Sequence, residues 1–376
     1  MRRSTHVLAG LLATATMQSI FAIEPEQVTL ETLGQPQASW VVSHDVFGPR
    51  YVLDVASGEM VGMISTPAFT PALVDDPERQ EIYAAESYFS RGTRGERNDV
   101  LTVYDYENFA VIDEIDIPDK IAALSFPQYL AMMDDGRHLA VFNLTPAMSV
   151  SIVDVEKRKF VSEISTPACS MIMPAPDRRF LQICADGKLQ LIELDANGTE
   201  VKRSRSAVFF DLEEDPVFAK PIATPDGWLM LSYQGKVHEA AVNGDKIEFS
   251  TPWSLIDDDD FAAGWRPGGG QFKAYYAPMD LLFVLMNPGG EFSHDDPGTQ
   301  VWIYNRSSQR RIARIELEAP GTNLHVSAGE DPLLTITGSD AQLHVYDVKT
   351  NTLLRSIGSV GVAPGLLQGF TVEGAR

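Results

Sequence analysis

The chain has 376 residues, 44% of them hydrophobic, a formal charge of −22 and only two cysteines, Cys169 and Cys184. That apolar content supplies a full core for one large domain or two ordinary ones. The acidity disfavours nucleic acid, whose phosphates need a basic face, and gathers small cations, ammonium compounds among them, in preference to anions.

In chain order, MRRSTHVLAGLLATATMQSIFA at 1–22 puts Arg2 and Arg3 ahead of a modest apolar stretch ending in Ala22. This reads as a secretory signal peptide cut near Ala22. A membrane anchor is the alternative, but the apolar part falls short of the roughly 20 clean residues that a span requires. Residues 23–376 read as one domain with no linker or low-complexity run. An exported chain meets an oxidising compartment, so CSMIMPAPDRRFLQIC at 169–184 reads as a Cys169–Cys184 disulfide across a strand, turn and strand. Two buried free thiols are the alternative.

A repeat runs through the rest. Seven segments align on a central polar turn: RYVLDVASGEMVGMIS, LTVYDYENFAVIDEID, VSIVDVEKRKFVSEIS, LQLIELDANGTEVKRS, GKVHEAAVNGDKIEFS, VWIYNRSSQRRIARIE and LHVYDVKTNTLLRSIG. Each is a strand, a turn and a second strand, and the fourth and fifth depart furthest from the pattern. Another apolar run precedes each, and most of those follow a further short strand, as in YLAMMDDGRHLAVF. Four strands per unit at about 50 residues per unit is the pattern of a propeller blade. The expected fold is therefore all-β, a seven-bladed β-propeller. The first unit lacks an opening strand while APGLLQGFTVEG at 363–374 is left over, so the C-terminal strand is expected to close the ring.

A propeller discloses no function, so chemistry has to be sought separately. Nucleophile elbows, phosphate loops, dinucleotide fingerprints, paired histidines and CxxC pairs are missing from the sequence. His44 with Asp45, and His294 with Asp295 and Asp296, come nearest to a metal or acid–base cluster, and solvated loop residues explain them as well. The run Asp257 to Asp260 invites calcium, but its spacing suits a helix start better. No metal is expected.

Three stretches together resemble the heavy subunit of the quinoprotein amine dehydrogenases, the methylamine and aromatic amine dehydrogenases. They are FSRGTRGERNDVLTVYD at 89–105, the Cys169/Cys184 segment with its PAPD turn, and GWRPGG at 264–269. The resemblance implies a propeller that holds no cofactor and no catalytic residue. The tryptophan tryptophylquinone sits in a small cysteine-rich light chain, within a periplasmic heterotetramer of two heavy and two light chains. The assembly oxidises a primary amine to an aldehyde and ammonia and passes electrons to a copper protein such as amicyanin or azurin. The isolated chain is then expected to be inactive.

Two site expectations accompany it. Phe69, in TPAFTPAL, occupies the position where the heavy chain's phenylalanine approaches the substrate channel; the alternative is a loop aromatic packed under the next blade. Its neighbours depart from the glycine-rich version of methylamine enzymes, which leaves the amine open. Arg91, Arg94 and Arg97 are expected to help hold blade edges and the light chain, or else to pair with acids of their own surface. A metal-dependent propeller enzyme of the lactonase type and a pure interaction propeller are the rival classes.

Overall fold

The computed structural model describes residues 32–372 except 69, 119, 122, 123, 125 and 359. The signal-peptide expectation therefore lies outside the described residues. Within them, alternation of β-branched and aromatic residues with polar ones makes nearly every element a strand, and the α-helix Asp258–Ala262 and two 3-10 turns stand apart.

The second sheet in the chain shows the plan. Its strands Leu73–Asp76, Glu81–Phe89, Arg97–Asp105 and Val111–Asp116 pair in sequence order as an antiparallel meander. The two middle strands are buried along most of their length, whereas Val111–Asp116 keeps Val111 and Ile112 in water. Middle strands covered on both faces read as near-continuous apolar runs, which is why EIYAAESYF and LTVYD stood out in the sequence.

The core consists of apolar layers between successive sheets. Ile64 and Val52 of the first sheet meet Ile82, Ala84 and Tyr104 of the second. Tyr83 and Leu101 of the second meet Leu139 and Val141 of the third. The series ends where Leu343 and Val345 meet Val41 and Leu53, returning to the first sheet. Sheets stacked face to face in a closed circuit make a β-propeller.

The expected count of seven separate blades is corrected. The described strands form six sheets: five of four or five strands, and one of eight. The cause is Arg310–Val326, a single strand of 17 residues. It pairs with Gly298–Asn305 through its first part and with Leu333–Gly338 through its second. The last two sequence units are thus one hydrogen-bonded sheet. Pro320 lies within this strand, and the fixed φ of proline is compatible with extended chain. Gly321 faces Gly298 on one side and Gly338 on the other, and a Cβ on it would stand 2.7 Å from Ile336 Cγ2.

The ring is fastened by Pro364–Gly369, which pairs antiparallel with Trp40–Asp45 from Val41↔Gly369 to Asp45↔Pro364. Side chains reinforce the seam. Gln271 donates to the Leu367 carbonyl at 2.9 Å and accepts from its amide at 2.7 Å, and Leu73 N–H donates to Gln368 at 3.1 Å. Phe370 then packs edge-on to Trp40 and Tyr106 and stacks on Phe109.

Candidate functional site

Because successive strands alternate in direction, the loop after the second strand of each sheet and the link to the next sheet leave at the same end of the ring. That end carries the loops 46–49, 65–72, 90–96 and 289–297, and the links 206–221, 255–270 and 358–363. It is built mostly of connections, and connections carry sites more often than strands do.

The arginine loop is a hairpin tip on this face. Strands Glu81–Phe89 and Arg97–Asp105 stay in register to Phe89↔Arg97, and the tip is closed by Ser90 N–H to Glu96 O at 2.9 Å and Arg91 N–H to Arg94 O at 3.0 Å. Gly92 and Gly95 supply the positive φ that the tip requires. The three guanidinium groups part company there. Arg97 Nε donates to Asp99 at 2.6 Å, Nη2 donates to Ser87 at 2.9 Å, and the group lies over the Phe89 ring at 5.5 Å. Arg97 therefore locks its own hairpin, while Arg91 and Arg94 stand exposed at the tip.

Phe69 lies outside the described residues, but its flanks do not. Thr66 Oγ1 donates to Gly48 O at 2.6 Å, Thr70 Oγ1 to Pro67 O at 3.0 Å, and Tyr104 Oη to Ser65 O at 3.1 Å. Arg50, 1% exposed, ties the neighbouring loop to this one. It donates to the carbonyls of Asp45 at 2.9 Å, Thr70 at 2.5 Å, and Gly48. Gly48 has φ +140°, and a Cβ on it would meet Thr66 O at 2.8 Å.

Beneath this clamp lies Glu86, fully buried and accepting from Tyr104 at 2.6 Å, Tyr88 at 2.7 Å, and Thr102. Burial raises its pKa above the ordinary carboxylate value, against the three hydroxyl donors and the charge of Arg50. Burial likewise pulls Arg50 down to about 10, against the attraction of Glu86 and Asp45. Sequence reasoning missed Arg50, Glu86 and Tyr104. A carboxylate inside the apolar run EIYAAESYF was the signal, since an acid in a buried strand needs partners.

The other candidates are structural. His44 is fully buried, which lowers its pKa, and Asp45 accepts from the amides of Phe47 at 2.8 Å, Ala363 at 3.2 Å, and Val362, pinning the seam. His294 stacks on Tyr233 with ring centroids 4.3 Å apart. Among the described residues no group of three or more His, Cys, Asp or Glu converges as metal ligands. Asp257 caps the helix Asp258–Ala262 by accepting from Asp260 N–H at 2.8 Å, and Asp260 binds Arg311 at 2.6 Å and Arg314 at 2.7 Å. Trp265 of the GWRPGG stretch packs on Trp302, while Arg266 lies 3.7 Å over Phe261. Cys169 and Cys184 are directly opposite in register and joined as a disulfide.

The loop face also carries exposed apolar side chains, notably Phe292 at 83%, Val362 at 79% and Phe47 at 67%. Phe47 and Val362 are neighbours, both bonded through their amides to Asp45. Val208, Leu212 and Phe261 are exposed on the links of the same face. Exposed apolar side chains of this kind are available for contact with a partner.

A ring of sheets whose loop face offers apolar and cationic groups defines a propeller that presents a surface to a partner. The chain matches the methylamine dehydrogenase heavy chain (MADH) family over residues 41–370. It belongs to that family and is the heavy subunit of an amine dehydrogenase. It is 29% identical over 322 residues to the methylamine dehydrogenase heavy chain of Paracoccus versutus, covering 85% of this chain and 75% of that one. The heavy chain of Methylobacillus flagellatus is 26% identical over 318 residues, covering 84% and 79%. Among solved structures, a functionally unknown protein from Desulfotomaculum acetoxidans aligns at TM-score 0.61 with 12% identity, covering 88% of this chain and 99% of that one. The β-propeller domain of Swd1 from Myceliophteria thermophila aligns at 0.56 with 9% identity, covering 84% and 95%. These two speak to the fold alone.

Proposed function

We propose that this chain is the scaffold of a periplasmic amine dehydrogenase, seating a small cysteine-rich light chain on its loop face in an assembly of two heavy and two light chains. Tryptophan tryptophylquinone in the light chain supplies the oxidation of a primary amine to aldehyde and ammonia. A copper protein of the amicyanin or azurin type takes the electrons. The residues of this chain hold the light chain and, through the clamped 65–72 loop, present Phe69 to the substrate channel. Arg91 and Arg94 add cationic contacts at the rim.

The observation that carries this reading is the exposure of Phe47, Phe292 and Val362 together on the face that also bears the arginine tip. Among the described residues no helix is long and apolar enough to cross a membrane. Co-expression with a matching light chain and its maturation machinery should give amine-dependent dye reduction, while the isolated chain gives none. Activity in the isolated, metal-free chain would overturn the scaffold role. On the assembled enzyme, Phe69→Ala should change relative kcat/KM between small and bulky amines by roughly tenfold, with little loss of stability. An unchanged amine ranking with a large fall in Tm would make Phe69 a packing residue instead.

A further inference from the structure

The axis of the ring holds a cavity of about 260 Å³ whose wall includes Lys220, Lys273, His325, Gln271 and Phe272. Lys273 is 5% exposed and donates to the backbone carbonyl of Lys220. Lys220 in turn donates to Gly269 O at 3.1 Å. Both ammonium groups address one aromatic ring, lying 4.3 Å and 5.6 Å from the centroid of Phe272. Each has three donors, and among the described residues one backbone carbonyl accepts from each.

Among the described residues no aspartate or glutamate lines this cavity. The carboxylate that acts on Lys220 is Asp295, whose side chain is 83% exposed. Two lysines thus share this wall with no buried carboxylate beside them among the described residues, in a protein whose formal charge is −22. Burial lowers the pKa of each lysine, and the charge of Lys220 adds to the effect on Lys273. Uncompensated burial of this kind costs several kcal/mol per ion, which a bound anion offsets.

We propose that the axial cavity binds a small oxyanion, a carboxylate or phosphate group, between Lys220 and Lys273. The oxyanion supplies the acceptors and the charge that the wall lacks. The acidic exterior does not prevent this, because surface charges are screened beyond about 8 Å at physiological salt while groups inside the cavity are not. The volume suits such a ligand with a few waters, at about 30 Å³ per water. An ammonium compound is excluded by the same two lysines, so the cavity is separate from any amine path.

The test is calorimetric titration of the purified full chain with inorganic phosphate and, separately, sodium acetate, at pH 7 and constant ionic strength. Saturable binding of either, weakened at least tenfold in Lys273→Met and in Lys220→Met, supports the site. Acetate binding alone would identify a carboxylate site, and phosphate binding alone a phosphate site. If Lys273→Met fails to fold, Lys220→Met decides the matter. Absence of saturable binding of both anions, or affinity unchanged in every folded variant, overturns the proposal.

Discussion

Arg91, Arg94 and Arg97 share one hairpin, yet their surroundings assign them different work. Arg97→Ala removes the 2.6 Å ion pair to Asp99, which is 4% exposed, so it should cost about 2 kcal/mol in urea unfolding. Arg91→Ala and Arg94→Ala should stay within about 0.5 kcal/mol, as exposed substitutions do, and show their effect in light-chain affinity. Equal losses of stability at all three positions would remove the distinction. His325 bears on pH. Burial lowers its pKa from the ordinary 6.5 to about 4, so between these values the unfolded chain binds the extra proton. Stability should therefore rise with pH across that window, and fall by about 2 kcal/mol between pH 7 and pH 5. His325→Gln should flatten that slope in thermal scans. Spacing made the arginine cluster visible in the sequence, but which cation has a buried acid at its side depends on strand register. For the same reason Glu86 and Arg50 escaped notice, since they come from different sheets and meet only once the ring is built.

At the scale of single elements, the strand patterns were largely legible. Continuous apolar runs flanked by polar turns became middle strands, and FGP, SGE and DDG became their turns. The count of sheets was not, because Arg310–Val326 runs as one extended strand from the sixth repeat unit into the seventh, which were read as separate. Only the facing glycines at 298 and 338 show why the strand passes through unbroken, and facing residues are not a property of one segment. The Cys169–Cys184 bridge joins the ends of a hairpin with a sequence separation of 15. In the chain-entropy view such a loop is worth about 3 kcal/mol. The double variant Cys169→Ser/Cys184→Ser should lose roughly that amount in chemical denaturation and keep its β-sheet circular dichroism. An undiminished unfolding midpoint would show that the hairpin needs no bridge.

For the molecule as a whole, stability depends on a seam held by hydrogen bonds and by one aromatic cluster. Phe370 contacts Trp40, Tyr106 and Phe109, which come from the first and second sheets. Phe370→Ala should cost about 3–5 kcal/mol, as large-to-small core changes do. It should also raise hydrogen exchange first in Trp40–Asp45 and Pro364–Gly369, the two strands of the seam. Uniform acceleration across all sheets would mean that the ring opens only by global unfolding.

The seam has a consequence for biogenesis. Asp45 and Val362, bonded across it, are separated by 317 positions in the chain. Every other sheet can pair as its own residues emerge from the ribosome, but the first-made sheet stays one strand short until Pro364–Gly369 has been made. Until then the free edge of Trp40–Asp45 is open to strand addition by a foreign chain. A product stalled before residue 364 would carry that edge permanently, a mark by which chaperones and proteases can tell an unfinished ring from a finished one.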